Sequence, residues 1–147
     1  MSLRNFGACS LLIITPLAIS SANAHQGATG IVKERMDAFS EARGQMKQLR
    51  GAIGGSEFEA ITDITARMQI WADKMADYFP EGSDQSPSEA APAIWSDPDG
   101  FAAKIVSYQT SIRALGDAAS SGDRDSTIKA FSALGQSCKS CHQTYRK

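Results

Sequence analysis

Three residues near the C-terminus have types and spacing that could do chemistry, within the run Cys138-Lys139-Ser140-Cys141-His142. Cys-x-x-Cys-His is the attachment signature of c-type haem. On a helix, positions i and i+3 share one face and position i+4 lies beside them. Both thiols can then form thioethers to one porphyrin edge while the imidazole reaches the iron from the same side. The motif therefore predicts one covalent haem c on Cys138 and Cys141, with His142 as the axial ligand of its iron.

Other uses of the cysteine pair fit the sequence less well. A zinc site needs about four ligand positions, but the only further cysteine and histidine, Cys9 and His25, lie near the other end of the chain. A redox dithiol belongs at the start of a helix beside a βαβ pattern, and the sequence has no strand pattern. A disulfide between Cys138 and Cys141 stays chemically open, but it gives His142 no role.

The first 24 residues have the layout of a secretory signal peptide. One positive charge, Arg4, precedes an apolar run, and Ala22 and Ala24 are small residues at the −3 and −1 positions of a cleavage site. A proline interrupts the apolar run, which is shorter than the roughly 20 residues that cross a bilayer. We therefore expect residues 1–24 to be removed and residues 25–147 to form one exported domain, which suits haem attachment outside the cytoplasm.

The composition of that domain limits the classes of partner that it is expected to bind. Removing Arg4 from the 15 Lys and Arg leaves 14 basic against 16 acidic residues, a formal net charge of −2. Such a surface does not indicate a nucleic acid or an anionic membrane as partner. No apolar stretch after Ala24 is long enough to span a membrane, so no membrane partner is expected.

Four segments carry apolar residues at helical spacing. They cover about 29–53, about 57–78, a stretch that starts near Asp97, and a last stretch from Ile128 to Tyr145 that holds the haem motif. Gly54 and Gly55 separate the first two, and Ser56 and Glu59 have the spacing of a capping box for the second. Asp97 is a cap residue followed by proline at the first helical position. The pattern predicts an all-α fold, an antiparallel four-helix bundle with haem attached near the C-terminus.

The first helix carries an arginine in its apolar seam, since Arg35 lies between Val32 and Phe39 in the repeat. A charge in a seam is costly unless it is paired. The two propionates of a haem would pair with it, whereas a guanidinium that reaches solvent at the seam's edge is the alternative. Other large residues of the stripes are expected to be core packing: Met46, Met68, Met75, Trp71 and Tyr108.

Three stretches resemble the cytochrome c′ family, the class II c-type cytochromes, and the resemblance extends over essentially the whole chain after residue 24. They are Val32-Lys33-Glu34-Arg35-Met36, Ala93-Ile94-Trp95-Ser96-Asp97 and the C-terminal run from Ser137 through the haem motif to Tyr145-Arg146-Lys147. The resemblance implies a four-helix bundle, often a homodimer, in the periplasm of a Gram-negative bacterium.

The resemblance also implies further haem contacts. It maps Arg35 and Met36 onto first-helix contacts and Glu89 onto a contact from the long loop. Four residues after the arginine, the family usually has Leu or Met over the distal face of the iron, and this chain has Phe39. Because a phenyl ring has no lone pair to donate, Phe39 predicts a five-coordinate iron. The thioether of Met36 is the alternative sixth ligand, and it would favour electron transfer.

Two functions fit such a protein. The first is electron transfer with an unidentified redox partner, in which the bundle supplies ligands and a low-dielectric shell. The second is binding of nitric oxide or carbon monoxide at an open distal site. Peroxide catalysis needs a distal acid–base group, and the only histidine away from the new N-terminus is His142. We therefore expect a protein that is not an enzyme, with electron transfer as the main function and gas binding as the alternative.

Overall fold

The computed structural model describes residues 27–147, so the predicted signal peptide and His25 lie outside the described residues. The helices are α1 (Gly30–Gly55), α2 (Phe58–Lys74), α3 (Ala93–Ser96), α4 (Pro98–Ser120) and α5 (Arg124–Tyr145), and a 3₁₀ turn (Met75–Tyr78) follows α2 directly. Residues 27–147 contain no β-strand, which confirms the all-α prediction. No helix in this part of the chain is long and apolar enough to cross a membrane.

The four long helices form an antiparallel bundle, as predicted. The side-chain amide of Gln109 on α4 donates to the Ala72 carbonyl of α2 at 3.1 Å. Lys104 Nζ on α4 donates to Ser140 Oγ of α5 at 2.6 Å. The largest fully buried apolar side chains come from all four long helices: Leu49, Ile61, Met68, Ile112, Leu115 and Leu134. Burial of such side chains is the dominant favourable term in folding.

The two halves of α1 are attached to the bundle in different ways. Its buried apolar residues, Leu49, Ala52 and Ile53, all lie in the C-terminal half. In the N-terminal half the buried residue is Arg35, while Phe39 is half-buried. The C-terminal half of α1 therefore contributes buried residues to the hydrophobic core, whereas the N-terminal half is attached by the half-buried Phe39, which packs against that core, and by the hydrogen bonds of Arg35.

The predicted capping box at Ser56 and Glu59 is wrong. Helix α1 continues through both glycines, and Ser56 adopts a left-handed conformation (φ 57°) at its end. The Ser56 N–H donates to Ile53 O at 3.2 Å and the Glu57 N–H donates to Ala52 O at 2.9 Å, the pair of bonds that defines a Schellman motif. Ser56 thus closes α1, and α2 begins without a side-chain cap.

The predicted start of α4 agrees with the structure. The Asp97 side chain accepts from Gly100 N at 3.2 Å, and Pro98 is the first residue of α4. Helix α5 begins at Arg124, four residues before the predicted stretch, because Asp123 caps it through Asp125 N at 3.0 Å. The long connection before α4 holds the short helix α3, which periodicity alone did not predict.

Candidate haem-binding site

Helix α5 brings the three residues of the C-terminal motif together. Cys138 and Cys141 are half-buried free thiols that pack against the hydrophobic core. His142, one position further along the helix, is exposed. The i, i+3, i+4 arrangement expected for attachment of one porphyrin edge is therefore present on a regular helix.

The chemistry of the two thiols fits thioether attachment better than its rivals. Burial raises the pKa of the Cys138 thiol, and burial together with the neighbouring Cys138 raises the pKa of the Cys141 thiol. A reactive redox dithiol has a lowered pKa, so these shifts do not indicate a redox pair. Within residues 27–147 no group of three or more His, Cys, Asp or Glu side chains could hold a metal ion. The residues present therefore fit a covalent haem, and a zinc site lacks its ligand set in this part of the chain.

His142 lies in a setting that favours the neutral imidazole. Partial desolvation, and then the nearby cations Arg146 and Arg43, lower the pKa of His142. The neutral ring is the form that binds a metal. Its ring faces Phe39 of α1, with centroids 6.4 Å apart and planes at 71°. Phe39 is thus the α1 side chain whose ring is in contact with His142, while Met36 is half-buried on the same helix.

Phe39 belongs to an aromatic cluster, which we define as Phe39, Trp71, Phe79 and His142. The Phe39 ring centroid lies 5.4 Å from that of Trp71 on α2 and 6.4 Å from that of Phe79 in the following loop, both edge-on. The cluster thus combines side chains from α1, α2, the loop and α5. Rings gathered around an imidazole give the apolar surroundings that a porphyrin needs.

Arg35 is buried, with 3% of its surface exposed, so the alternative in which its guanidinium reaches solvent is wrong. The guanidinium lies 4.4 Å from the centroid of the Phe79 ring. It donates four hydrogen bonds: Nη1 to Tyr78 O (2.7 Å) and Ser83 Oγ (2.9 Å), and Nη2 to Ser83 O (2.6 Å) and Ser88 Oγ (2.8 Å). All four acceptors are neutral, and burial lowers the pKa of Arg35. The site therefore holds a buried cation whose hydrogen bonds within residues 27–147 reach no carboxylate.

Glu89 is exposed in the loop between α2 and α3, and it is bound to the end of α5. Arg146 Nε donates to Glu89 Oε2 at 2.7 Å, and the Lys147 N–H donates to the Glu89 carbonyl at 2.8 Å. The same loop holds Arg35 through its serines. The loop therefore connects the first half of α1 with the segment that follows His142.

Sequence reasoning missed two parts of this site. Trp71 was expected to be core packing, yet its Nε1 is buried and has no hydrogen-bond partner within residues 27–147. Ser83 and Ser88, which hold Arg35, gave no signal in the sequence because a loop's path does not follow from periodicity. The sequence analysis included a long loop that carries Glu89, but it did not predict the contact of this loop with Arg35.

Comparisons with known proteins cover almost all of the described chain. The family model described as Cytochrome C′ matches residues 30–146. Cytochrome c′ of Pararhodospirillum photometricum is 33% identical over 120 residues, 79% of this chain and 95% of that protein. Cytochrome c-556 of Agrobacterium tumefaciens (strain B2A) is 35% identical over 113 residues, 70% of this chain and 91% of that protein. The solved nitric oxide complex of a cytochrome c prime variant from Alcaligenes xylosoxidans superposes with a TM-score of 0.72 at 29% identity, and the match covers 80% of this chain and 94% of that one.

Proposed function

Because the chain belongs to the cytochrome c′ family, whose members bind covalent haem c, we propose that it is a periplasmic mono-haem electron-transfer protein. When bound, haem c supplies an iron that changes between the ferric and ferrous states. In this proposal Cys138 and Cys141 hold the group by thioethers and His142 binds its iron. The signal-peptide layout of residues 1–24 supports the periplasmic location. No enzymatic activity is proposed, and the homodimer implied by the family resemblance stays a prediction.

The exposure of the attachment motif is the observation that carries this proposal. Lys139 and Gln143, which are neighbours of Cys138 and His142 in the chain, are exposed. The two cysteines pack against the hydrophobic core. Electron transfer between proteins falls steeply with the distance between redox centres, so a cofactor attached at the surface can exchange electrons with a docked partner. Three members of the aromatic cluster, Phe39, Trp71 and Phe79, are half-buried and would place apolar rings beside the bound group.

We expect the ferrous protein to pass its electron to ferric mitochondrial cytochrome c in a bimolecular reaction. Stopped-flow absorption would follow oxidation of one haem and reduction of the other in equal molar amounts. Ferricyanide serves as the control, since it oxidises an accessible haem without protein docking. A protein that ferricyanide oxidises but mitochondrial cytochrome c does not oxidise over minutes would argue against the electron-transfer proposal.

Arg35 supports the proposed contact with the haem propionates. A buried cation is stable only with compensation, and the hydrogen-bond partners of this one are all neutral. A haem brings two carboxylates, and the family resemblance maps Arg35 and Met36 onto haem contacts. Glu89 remains the predicted haem contact from the loop. Its ion pair with Arg146 connects it to the end of α5.

Gas binding is a second candidate, and the position of Phe39 favours it. The Phe39 ring faces His142, and a phenyl ring has no lone pair for iron. An iron ligated by His142 alone would be five-coordinate and could take nitric oxide or carbon monoxide. The relative from Alcaligenes xylosoxidans, whose variant was solved as a nitric oxide complex, supports this reading.

The gas-binding proposal predicts that ferrous protein binds carbon monoxide slowly, because the Phe39 ring must move, and that Phe39→Ala speeds the reaction. We expect an increase of roughly tenfold, the effect of lowering a barrier by about 1.4 kcal/mol. Flash photolysis of the carbon monoxide complex measures the rate. Phe131→Ala, a half-buried phenylalanine of α5 outside the aromatic cluster, is the control. A methionine–iron absorption band in the ferric protein that disappears in Met36→Ala would refute the proposal.

A further inference from the structure

Trp71 carries a buried donor that the fold does not use. Its Nε1 has almost no accessible surface and no hydrogen-bond partner within residues 27–147. The indole nitrogen can only donate, and buried polar atoms without a partner are rare enough in folded proteins to need an explanation. An acceptor supplied by a bound group is the explanation that the position of Trp71 supports.

That position is inside the aromatic cluster and close to the buried cation. The Trp71 ring centroid lies 5.4 Å from Phe39 and 5.0 Å from Tyr78. The carbonyl of Tyr78 accepts from Arg35 Nη1 at 2.7 Å. Trp71 contacts the ring of Tyr78 and Arg35 binds the carbonyl of the same residue, so the unused donor and the buried cation share a neighbouring residue.

Arg35 itself has little capacity for a direct bond to an anion. Each terminal nitrogen of a guanidinium has two hydrogens, and in Arg35 both Nη1 and Nη2 already donate twice. Arg35 therefore supplies positive charge, while its terminal N–H groups are occupied by the loop. The Nε–H is the one donor of Arg35 outside these four bonds. A carboxylate has two oxygens, so a second donor from a neighbouring side chain would complete its binding, and Trp71 Nε1 is a buried donor without a partner in residues 27–147.

We propose that the Trp71 indole N–H donates a hydrogen bond to a propionate carboxylate of the haem, which makes Trp71 a residue that positions the cofactor. The inference rests on the proposed haem attachment at Cys138 and Cys141. A donor to an iron-bound ligand is the less favoured role, because the ring contacts within residues 27–147 connect Trp71 with His142 only through Phe39. These contacts therefore favour a bond from Trp71 to a propionate over a bond to a ligand of the iron.

The chain contains a matched control, because Trp95 is its other tryptophan. Trp95 Nε1 already donates to the Phe79 carbonyl at 3.1 Å. Both Trp71→Phe and Trp95→Phe keep an aromatic ring and remove one indole N–H. A substitution at Trp95 therefore reports the general effect of losing an indole, and a substitution at Trp71 adds the specific effect on the haem.

The test compares holoproteins of the wild type and the two variants by resonance Raman spectroscopy. We expect Trp71→Phe to move the haem propionate-bending band to lower frequency, as loss of a hydrogen bond does, and Trp95→Phe to leave the band unchanged. The mass of each denatured protein is measured in parallel. A chain without haem mass contradicts the proposed function, whereas a chain that keeps its haem with an unmoved propionate band contradicts only this inference.

Two further measurements exclude other outcomes. If Trp71→Phe changes the C–O stretching band of the carbon monoxide complex and leaves the propionate band in place, the donor serves the iron ligand and the inference is wrong. If Trp71→Phe does not fold, ultraviolet resonance Raman of the wild-type holoprotein decides, because its indole band reports hydrogen bonding at nitrogen. Two hydrogen-bonded indoles are expected, and one free indole would overturn the inference.

Discussion

Replacing Cys138 and Cys141 together by alanine removes all haem that survives acid extraction of the denatured protein. The two thioethers are the only proposed covalent bonds between chain and cofactor, and within residues 27–147 no other cysteine is present. Haem that is held only by His142 and by packing is lost when the fold is lost. We expect each single substitution to weaken attachment without abolishing it, since one thioether remains.

Mass spectrometry of the denatured proteins measures this result directly. The wild type carries the mass of one haem, and the double variant carries none. Ser140→Ala is the matched control, because Ser140 lies between the two cysteines and its hydroxyl accepts from Lys104 at 2.6 Å. That variant keeps its haem mass. Haem mass on the double variant would show that another residue attaches the group.

His142→Ala is expected to abolish the native spectra of both oxidation states. His142 is one of two histidines in the chain, and the other, His25, lies near the predicted cleavage site. No second imidazole is therefore available from the bundle to bind the iron. The thioethers can still form, so the variant separates attachment from ligation, although less mature protein is expected.

Two comparisons make the His142 result specific. Added imidazole should restore most of the native absorption spectrum in His142→Ala, because a small ligand can occupy the position of the lost ring. His25→Ala is the control and should match the wild type. An unchanged spectrum in His142→Ala would mean that the proposed axial ligand is wrong.

The sequence was sufficient wherever the determining interactions are local. The haem motif needs only the periodicity of one helix, and the predicted cap at Asp97 involves residues within three positions of each other. The end of α1 is also local, but Ser56 takes the left-handed position that glycine usually occupies. The residue type therefore indicated a cap for α2, whereas the backbone used it to finish α1.

Contacts between distant segments could not be predicted in the same way. The free-energy cost of burying Arg35 in the α1 seam was evident from the sequence. The acceptors of its hydrogen bonds, however, lie 43 to 53 residues further along the chain. Trp71 followed the helical stripe as a core residue should, and only the positions of its neighbours reveal that its N–H has no acceptor. Both features depend on the path of the loop after α2, which local propensity does not determine.

The uneven attachment of α1 has a consequence for how small molecules reach the aromatic cluster. The C-terminal half of α1 is held by Leu49, Ala52 and Ile53, whereas the half that carries Phe39 has no buried apolar side chain. Segments with few buried apolar contacts open locally at lower free energy than the core. Fraying that starts at the N-terminal end of α1 would therefore separate Phe39 from the rings of His142 and Trp71 while the rest of the bundle stays folded. Access of a small molecule to the aromatic cluster would then depend on a local unfolding equilibrium within one helix.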